Sequence, residues 1–288
     1  MSPRDVMIAL LAVSILGANF VAVKVGVSEA PPLFLTGLRF FFAAFPAVLI
    51  VKPPKVSIGL LLSFGFVVGV LQFSFLFTAV YLGMPAGLSS LVIQTQVFFT
   101  VAIAFLVYNE RPSALQIAGG IFAAAGIAVI GVFQVGGASL LPLLLVLAAA
   151  LAWGAANILT KVAGRIEPLA FVVWASLVSP LPLFLLSSIF EDRLLVLALI
   201  RHPTWQLVFA VGFLAYPTTL IALPLWTWLL GRYPASHVVP FGFLVPIIGM
   251  IATHLVLREQ FGHADLLGSL IVFVGLILNL WGSSRPAH

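Results

Sequence analysis

Ten stretches of about 20 mainly apolar residues, the length needed to cross a bilayer as a helix, run through the chain between short breaks of charge, Pro or Gly. They lie at approximately 5–27, 33–51, 58–80, 86–107, 114–133, 141–161, 169–190, 205–229, 235–257 and 264–282. Lipid offers the backbone no hydrogen-bond partners, so each spanning segment must be a helix or belong to a closed barrel. Barrel strands are runs of about ten residues alternating apolar with polar, and IFAAAGIAVIGVF (121–133) does not alternate. The pattern predicts an all-α membrane protein of ten transmembrane helices. Composition agrees, with 62% hydrophobic and 7% charged residues against about 25% charged in a soluble domain. The first stretch resembles a signal peptide in having Arg4 before it. Its length and the nine stretches that follow favour an uncleaved signal-anchor.

The charged residues mark where the chain leaves the lipid. A net charge of +5 and a pI near 10 would suit nucleic acid, but the basic residues form no run, so no nucleic-acid partner is expected. With the N-terminus in the cytoplasm, the loops on that side carry Arg4, Lys52, Lys55, Arg111, Lys161, Arg165, Arg232 and Arg285. The opposite loops carry Arg193, Arg201 and Arg258. Eight against three places both termini in the cytoplasm under the positive-inside rule. Cysteine is absent, which excludes disulfides, thiolate metal sites and a thiol nucleophile.

The chain also repeats itself. A shift of 137 pairs Gly17 with Gly154, Ala18 with Ala155, Lys24 with Lys161, Pro31 with Pro168 and Phe34 with Phe171. A shift of 149 pairs Pro85 with Pro234, Ala86 with Ala235, Glu110 with Glu259, Gly119 with Gly268 and Gly126 with Gly275. The halves, 1–137 and 138–288, hold five spans each, and the odd number forces the second to start from the opposite face. The shifts differ by 12, which puts that much extra chain around EDRLLVLALIRHP (191–203). Inverted repeats with a site near the midplane are a recurrent plan of secondary transporters, because exchanging the conformations of two similar halves opens the site to each side in turn.

Several segments carry a resemblance: GANFVAVKVGVSEAPPLFLTGLRFFFAAFPA (17–47), GMPAGLSSLVIQTQVFFT (83–100), NERPSALQIAGGIFAAAGI (109–127), LLGRYPASHVVPFGFLVPIIGM (229–250) and LREQFGHADLLGSLIVFVGL (257–276). Together they resemble the EamA family, the ten-helix branch of the drug/metabolite transporter superfamily, over nearly the whole chain. The resemblance implies an exporter of the bacterial inner membrane that carries amino acids, neutral, sulfur-containing or aromatic, and related small metabolites. Leu16 stands where Trp153 stands in the second half, so the family's aromatic cavity contacts do not carry over as a set.

No Asp or Glu falls in the middle of a stretch. Intramembrane carboxylates are the usual proton relays, so a facilitator without such a relay is expected, or else coupling to protons through something other than an acid. Two cations, Lys24 and Arg39, lie within spans near their outer ends. Snorkelling to the head groups is one reading. The other is that Arg39, whose repeat partner is the neutral Ser176, attracts the carboxylate of a substrate.

Neutral polar residues are the remaining candidate contacts. Asn19 and Asn157 open the two halves one position out of register, as substrate contacts or as glue between helices. Gln72 has the apolar repeat partner Ile221. Gln94 and Gln96 stand about 200° apart on a helix and cannot face one cavity. Ser89, Gln96 and Thr100 share one face, and Ser90 and Gln94 the next. Trp153, one turn before Asn157, is the candidate aromatic lining residue.

Pro217 and Pro224 interrupt the eighth span, and Pro240 and Pro246 the ninth, as candidate kinks for gating. Leu91 and Val97, which match Pro240 and Pro246, are not proline, so the halves are expected to bend differently. His237 and His254 lack neighbours that would complete a metal site. No cofactor is expected, and without a glycine-rich phosphate loop neither is ATP. The expected partners are a small-molecule substrate and the lipid bilayer. The rival readings are a nucleotide-sugar or drug transporter, an intramembrane enzyme, and a scaffold. The first would want convergent Lys or Arg in the cavity, and the second embedded acids or clustered His.

Overall fold

A computed structural model describes residues 1–134, 140–164, 166–233 and 235–283. Ten helices among them are long and apolar enough to cross a membrane: Pro3–Glu29, Pro32–Leu49, Ile58–Tyr81, Ala86–Tyr108, Ala114–Val132, Leu141–Ala163, Pro168–Phe190, Trp205–Arg232, Pro240–Leu257 and His263–Ser283, numbered spans 1 to 10. Hydropathy places them because each apolar stretch has nowhere to go but lipid or another such stretch.

Most span starts are capped by side chains, as free N–H groups at a membrane surface require. Ser2, Ser57, Glu167 and Thr204 accept from amides of their own first turns. Two further caps come from the other half of the chain. Glu191, at the end of span 7, accepts from Leu33 N (2.6 Å) and Phe34 N (3.0 Å) at the start of span 2. Glu259, just past span 9, accepts from Ala86 N (2.8 Å) and Gly87 N (3.0 Å) at the start of span 4.

The packing keeps its form when the halves are exchanged. Span 1 lies against spans 8 and 9, and span 6 against spans 3 and 4, their counterparts; spans 2 and 7, 4 and 9, and 5 and 10 pair with each other. Where spans 5 and 10 cross, a Cβ on Gly275 would stand 2.5 Å from the carbonyl oxygen of Gly119, and one on Gly126 would stand 2.6 Å from that of Gly268. Only glycine lets these backbones come so close.

The helix distortions follow the same exchange. Span 3 is π-helical over Phe66–Gln72 and span 8 over Leu214–Ala222; under the shift of 149 the first range falls inside the second. Span 4 narrows to a 3-10 turn at Ile93–Thr95, and span 9 breaks at Phe243, again at matching positions. Proline is not what sets the π segments. Pro217 lies inside one π segment, but the other forms without proline, so the distortion belongs to the shared architecture.

The extra chain of the second half forms a short helix, Arg193–Arg201, capped by Asp192. Leu194 is 78% exposed and Ile200 61%, while Leu199 is buried. With an arginine at each end and an apolar flank, the helix suits the interface between head groups and acyl chains.

Candidate functional site

A polar cluster between the halves joins spans 4 and 6. Asn157 donates from Nδ2 to Gln96 Oε1 at 2.6 Å and to Thr100 Oγ1 at 3.0 Å. The Thr100 hydroxyl donates to the Gln96 backbone carbonyl at 2.7 Å. All three side chains are half-buried, as is Trp153 on span 6, which packs against the main core. Span 6 approaches span 4 closely because of Gly154, whose Cβ would lie 2.9 Å from Phe99 and 3.0 Å from Thr100 N. At 1.5 Å per residue, Gln96 lies about 15 Å from the start of span 4, near the middle of a bilayer. The cluster thus presents amides, a hydroxyl and an indole at midplane depth, with Gln96 Nε2 among its donors.

Gln94 turns the other way, as its helical angle requires. Its Nε2 donates to the Gly242 carbonyl in span 9 at 3.4 Å. Ser90, on the same face, lies 3.4 Å from the Pro246 carbonyl. The α-helical donor to Gly242 would be the nitrogen of residue 246, and Pro246 has no N–H. Gln94 therefore serves the break in span 9 rather than the Asn157 cluster. A similar substitution occurs in span 8, where the Thr218 hydroxyl donates at 3.1 Å to Phe213, whose α-helical donor would be Pro217. Pro224 opens the α-helix after the π segment, and Pro240 lies inside the first part of span 9.

Arg39 does not snorkel. It is 1% exposed, its guanidinium stacked 3.8 Å from the Phe73 ring centroid and donating from Nε and Nη2 to Thr219 Oγ1 at 3.3 and 3.2 Å. Phe73 follows the π segment of span 3, and Thr219 lies within that of span 8 and donates to Leu214 O at 2.8 Å. Arg39 thus ties the two π segments together. Nη1 has no partner among the described residues, and the same holds for Gln72 Oε1 and Asn19 Oδ1, both buried.

Of the predicted contacts, the fold brings Gln96 and Asn157 together and sets Trp153 beside them on span 6. Gln94 and Arg39 have separate partners, and Asn19 and Gln72 are buried, each with a side-chain oxygen that has no hydrogen-bond partner among the described residues. Sequence reasoning missed Thr219 and Phe73. The Thr218-Thr219 pair after Pro217 was the available signal, since a proline-interrupted membrane helix needs nearby hydroxyls.

The EamA-like transporter family model matches the chain twice, at residues 4–132 and 140–281. Two curated relatives, each called a probable amino-acid metabolite efflux pump, are 36% identical (Escherichia coli strain K12) and 37% identical (Salmonella typhimurium strain LT2), each over 98% of this chain and 96% of their own. An uncharacterized transporter of Bacillus subtilis strain 168, YoaV, is 28% identical over 97% of this chain and 98% of its own. A solved crystal structure aligns with a TM-score of 0.62 at 18% identity over 96% of each chain, a likeness of fold alone.

Proposed function

The chain belongs to the EamA-like transporter family, and from that premise we propose that it exports amino acids, neutral, sulfur-containing or aromatic, and related small metabolites. It is a multi-pass protein of ten membrane-spanning helices. In this reading it sits in the inner membrane with both termini cytoplasmic and comprises two inverted five-helix repeats, 1–137 and 138–288. Packing that survives exchange of the halves and the double family match support the repeat. The names of the two efflux-pump relatives support the substrate class.

The observation that carries the reading is the cluster of Asn157, Gln96 and Thr100 at midplane depth. Neutral amides bind a zwitterion weakly enough to release it, which an exporter needs. Gln96, Asn157 and Trp153 are the central contacts; Arg39, Asn19 and Gln72, each with a buried polar atom that lacks a partner among the described residues, are further candidate contacts, and Pro217, Pro224, Pro240 and Pro246 are the candidate kinks for gating. Every Asp and Glu lies at a helix end or in a connection, which supports a facilitator. The test is downhill efflux of labelled amino acids from proteoliposomes with and without an imposed pH gradient. Efflux above protein-free vesicles that the gradient leaves unchanged is expected, and strong uphill efflux driven by the gradient would overturn the facilitator reading.

A further inference from the structure

Lys24 and Glu259 occupy in one arrangement the positions that Lys161 and Glu110 occupy in the other: the shift of 137 turns Lys24 into Lys161, and the shift of 149 turns Glu110 into Glu259. The two sets lie at opposite ends of the molecule. Glu259 reaches the start of span 4, whereas Glu110 follows its end. The structure treats them unequally. Lys161 and Glu110 form an ion pair, with the Lys161 ammonium 4.7 Å from the Tyr108 ring centroid. Lys24 has no ion-pair partner among the described residues. It lines, with Glu259, a cavity of about 390 Å³ to which Ser28, Glu29, Gln206 and Leu257 also contribute.

We propose that Lys24–Glu259 and Lys161–Glu110 are two clasps, one at each end of the carrier, that close in alternation, and that the structure is the state with the second shut and the first open. The proposal rests on the transport reading above, with the two halves exchanging conformations so that the site opens to each side in turn, and adds the residues that hold each end.

The chemistry of the open clasp explains how it can switch. Glu259 is not idle; its carboxylate accepts the first two amides of span 4, where the helix dipole favours an anion. Each acid therefore has two alternative partners, a lysine of the other half or the amino end of a span of the other half. The Pro-Ala sequence that opens span 4 at Pro85 and Ala86 recurs at Pro234 and Ala235, so Glu110 has the same choice. Charge-assisted hydrogen bonds are available in both states, and neither state leaves an acid unpaired. The two ends are not equivalent, because the residue matching Tyr108 is Leu257, which gives Lys24 no ring to stack on. This difference biases the unloaded carrier toward the state seen.

The chain has no native cysteine, so engineered thiols report without background. A Lys24→Cys/Glu259→Cys variant in proteoliposomes is treated with a short bis-maleimide in the absence of substrate. Adding Lys161→Gln is expected to raise cross-linking about two- to fivefold, the range an exposed ion pair can supply. Adding the swap Lys161→Glu/Glu110→Lys instead should leave it at the starting level. In a second measurement on the otherwise native chain, an impermeant maleimide labels Ser28→Cys in the cavity, and Lys161→Gln should lower that labelling by a similar factor. Cross-linking and labelling that ignore Lys161 overturn the proposal, as does a Lys24→Cys/Glu259→Cys pair that never cross-links while Ser28→Cys labelling is unmoved. Neither readout needs flux. Clasps that exchange in a protein passing no labelled amino acid would sink the transport reading and leave this one standing; flux without exchange would do the reverse.

Discussion

Gln94 donates its side-chain amide to the backbone carbonyl of Gly242 at 3.4 Å, supplying from span 4 the hydrogen bond that Pro246 cannot give within span 9. Breaks in membrane helices survive where a neighbour satisfies the freed carbonyl. Gln94→Leu is expected to cost about 1 kcal/mol, the low end for a long bond. Pro246→Ala in the same chain returns an intrahelical donor and should recover most of that loss. Thermal midpoints in detergent for the native protein, both single variants and the double variant test the coupling; a loss that Pro246→Ala does not repair would mean that Gln94 acts elsewhere.

Arg39 separates structure from transport. Arg39→Lys keeps the charge but loses the planar stack on Phe73 and the fork onto Thr219, which is expected to lower stability by about 2 kcal/mol, the value of a desolvated cation–π contact. Arg39→Met fills similar space without burying a charge and should hold the thermal midpoint better. If Arg39 engages the substrate carboxylate, Arg39→Met raises KM about tenfold for amino acids and leaves it unchanged for the corresponding amines. An equal change for both would assign Arg39 to the scaffold.

Gly275→Ala sets a methyl against the Gly119 carbonyl, 2.5 Å away before relaxation. Spans 5 and 10 must then separate, at an expected cost of about 1–3 kcal/mol. Gly59→Ala, with nothing within 4 Å of the new Cβ, is the control. It should be neutral or stabilising by up to about 1 kcal/mol. Thermal midpoints of the two variants in one detergent make the comparison.

The ten spans were legible because hydropathy alone decides them; span 4, expected at 86–107, is found at Ala86–Tyr108. The opposite facing of Gln94 and Gln96 was legible too, since 100° per residue fixes it. Arg39 was not. Its burial depends on Phe73 and Thr219 arriving from spans 3 and 8, and nothing in the local sequence of span 2 encodes that meeting. The π segments were half-legible. Pro217 flagged span 8, whereas Phe66–Gln72 contains no proline, and its distortion became visible only when set beside its counterpart. The 12 extra residues were locatable from the two shifts, but their folding into the Arg193–Arg201 helix required coordinates.

Efflux kinetics of labelled amino acids from proteoliposomes, with Gln96→Ala, Asn157→Ala and the double variant, test the proposed site most directly. Each single substitution breaks the 2.6 Å contact between the two side chains and is expected to raise KM about two- to tenfold, as loss of one hydrogen bond does. The double variant should be little worse than the poorer single one, because the residues act as a unit. Efflux no faster than from protein-free vesicles for every amino acid tried, or native kinetics in all three variants, would contradict a transport pathway through this cluster.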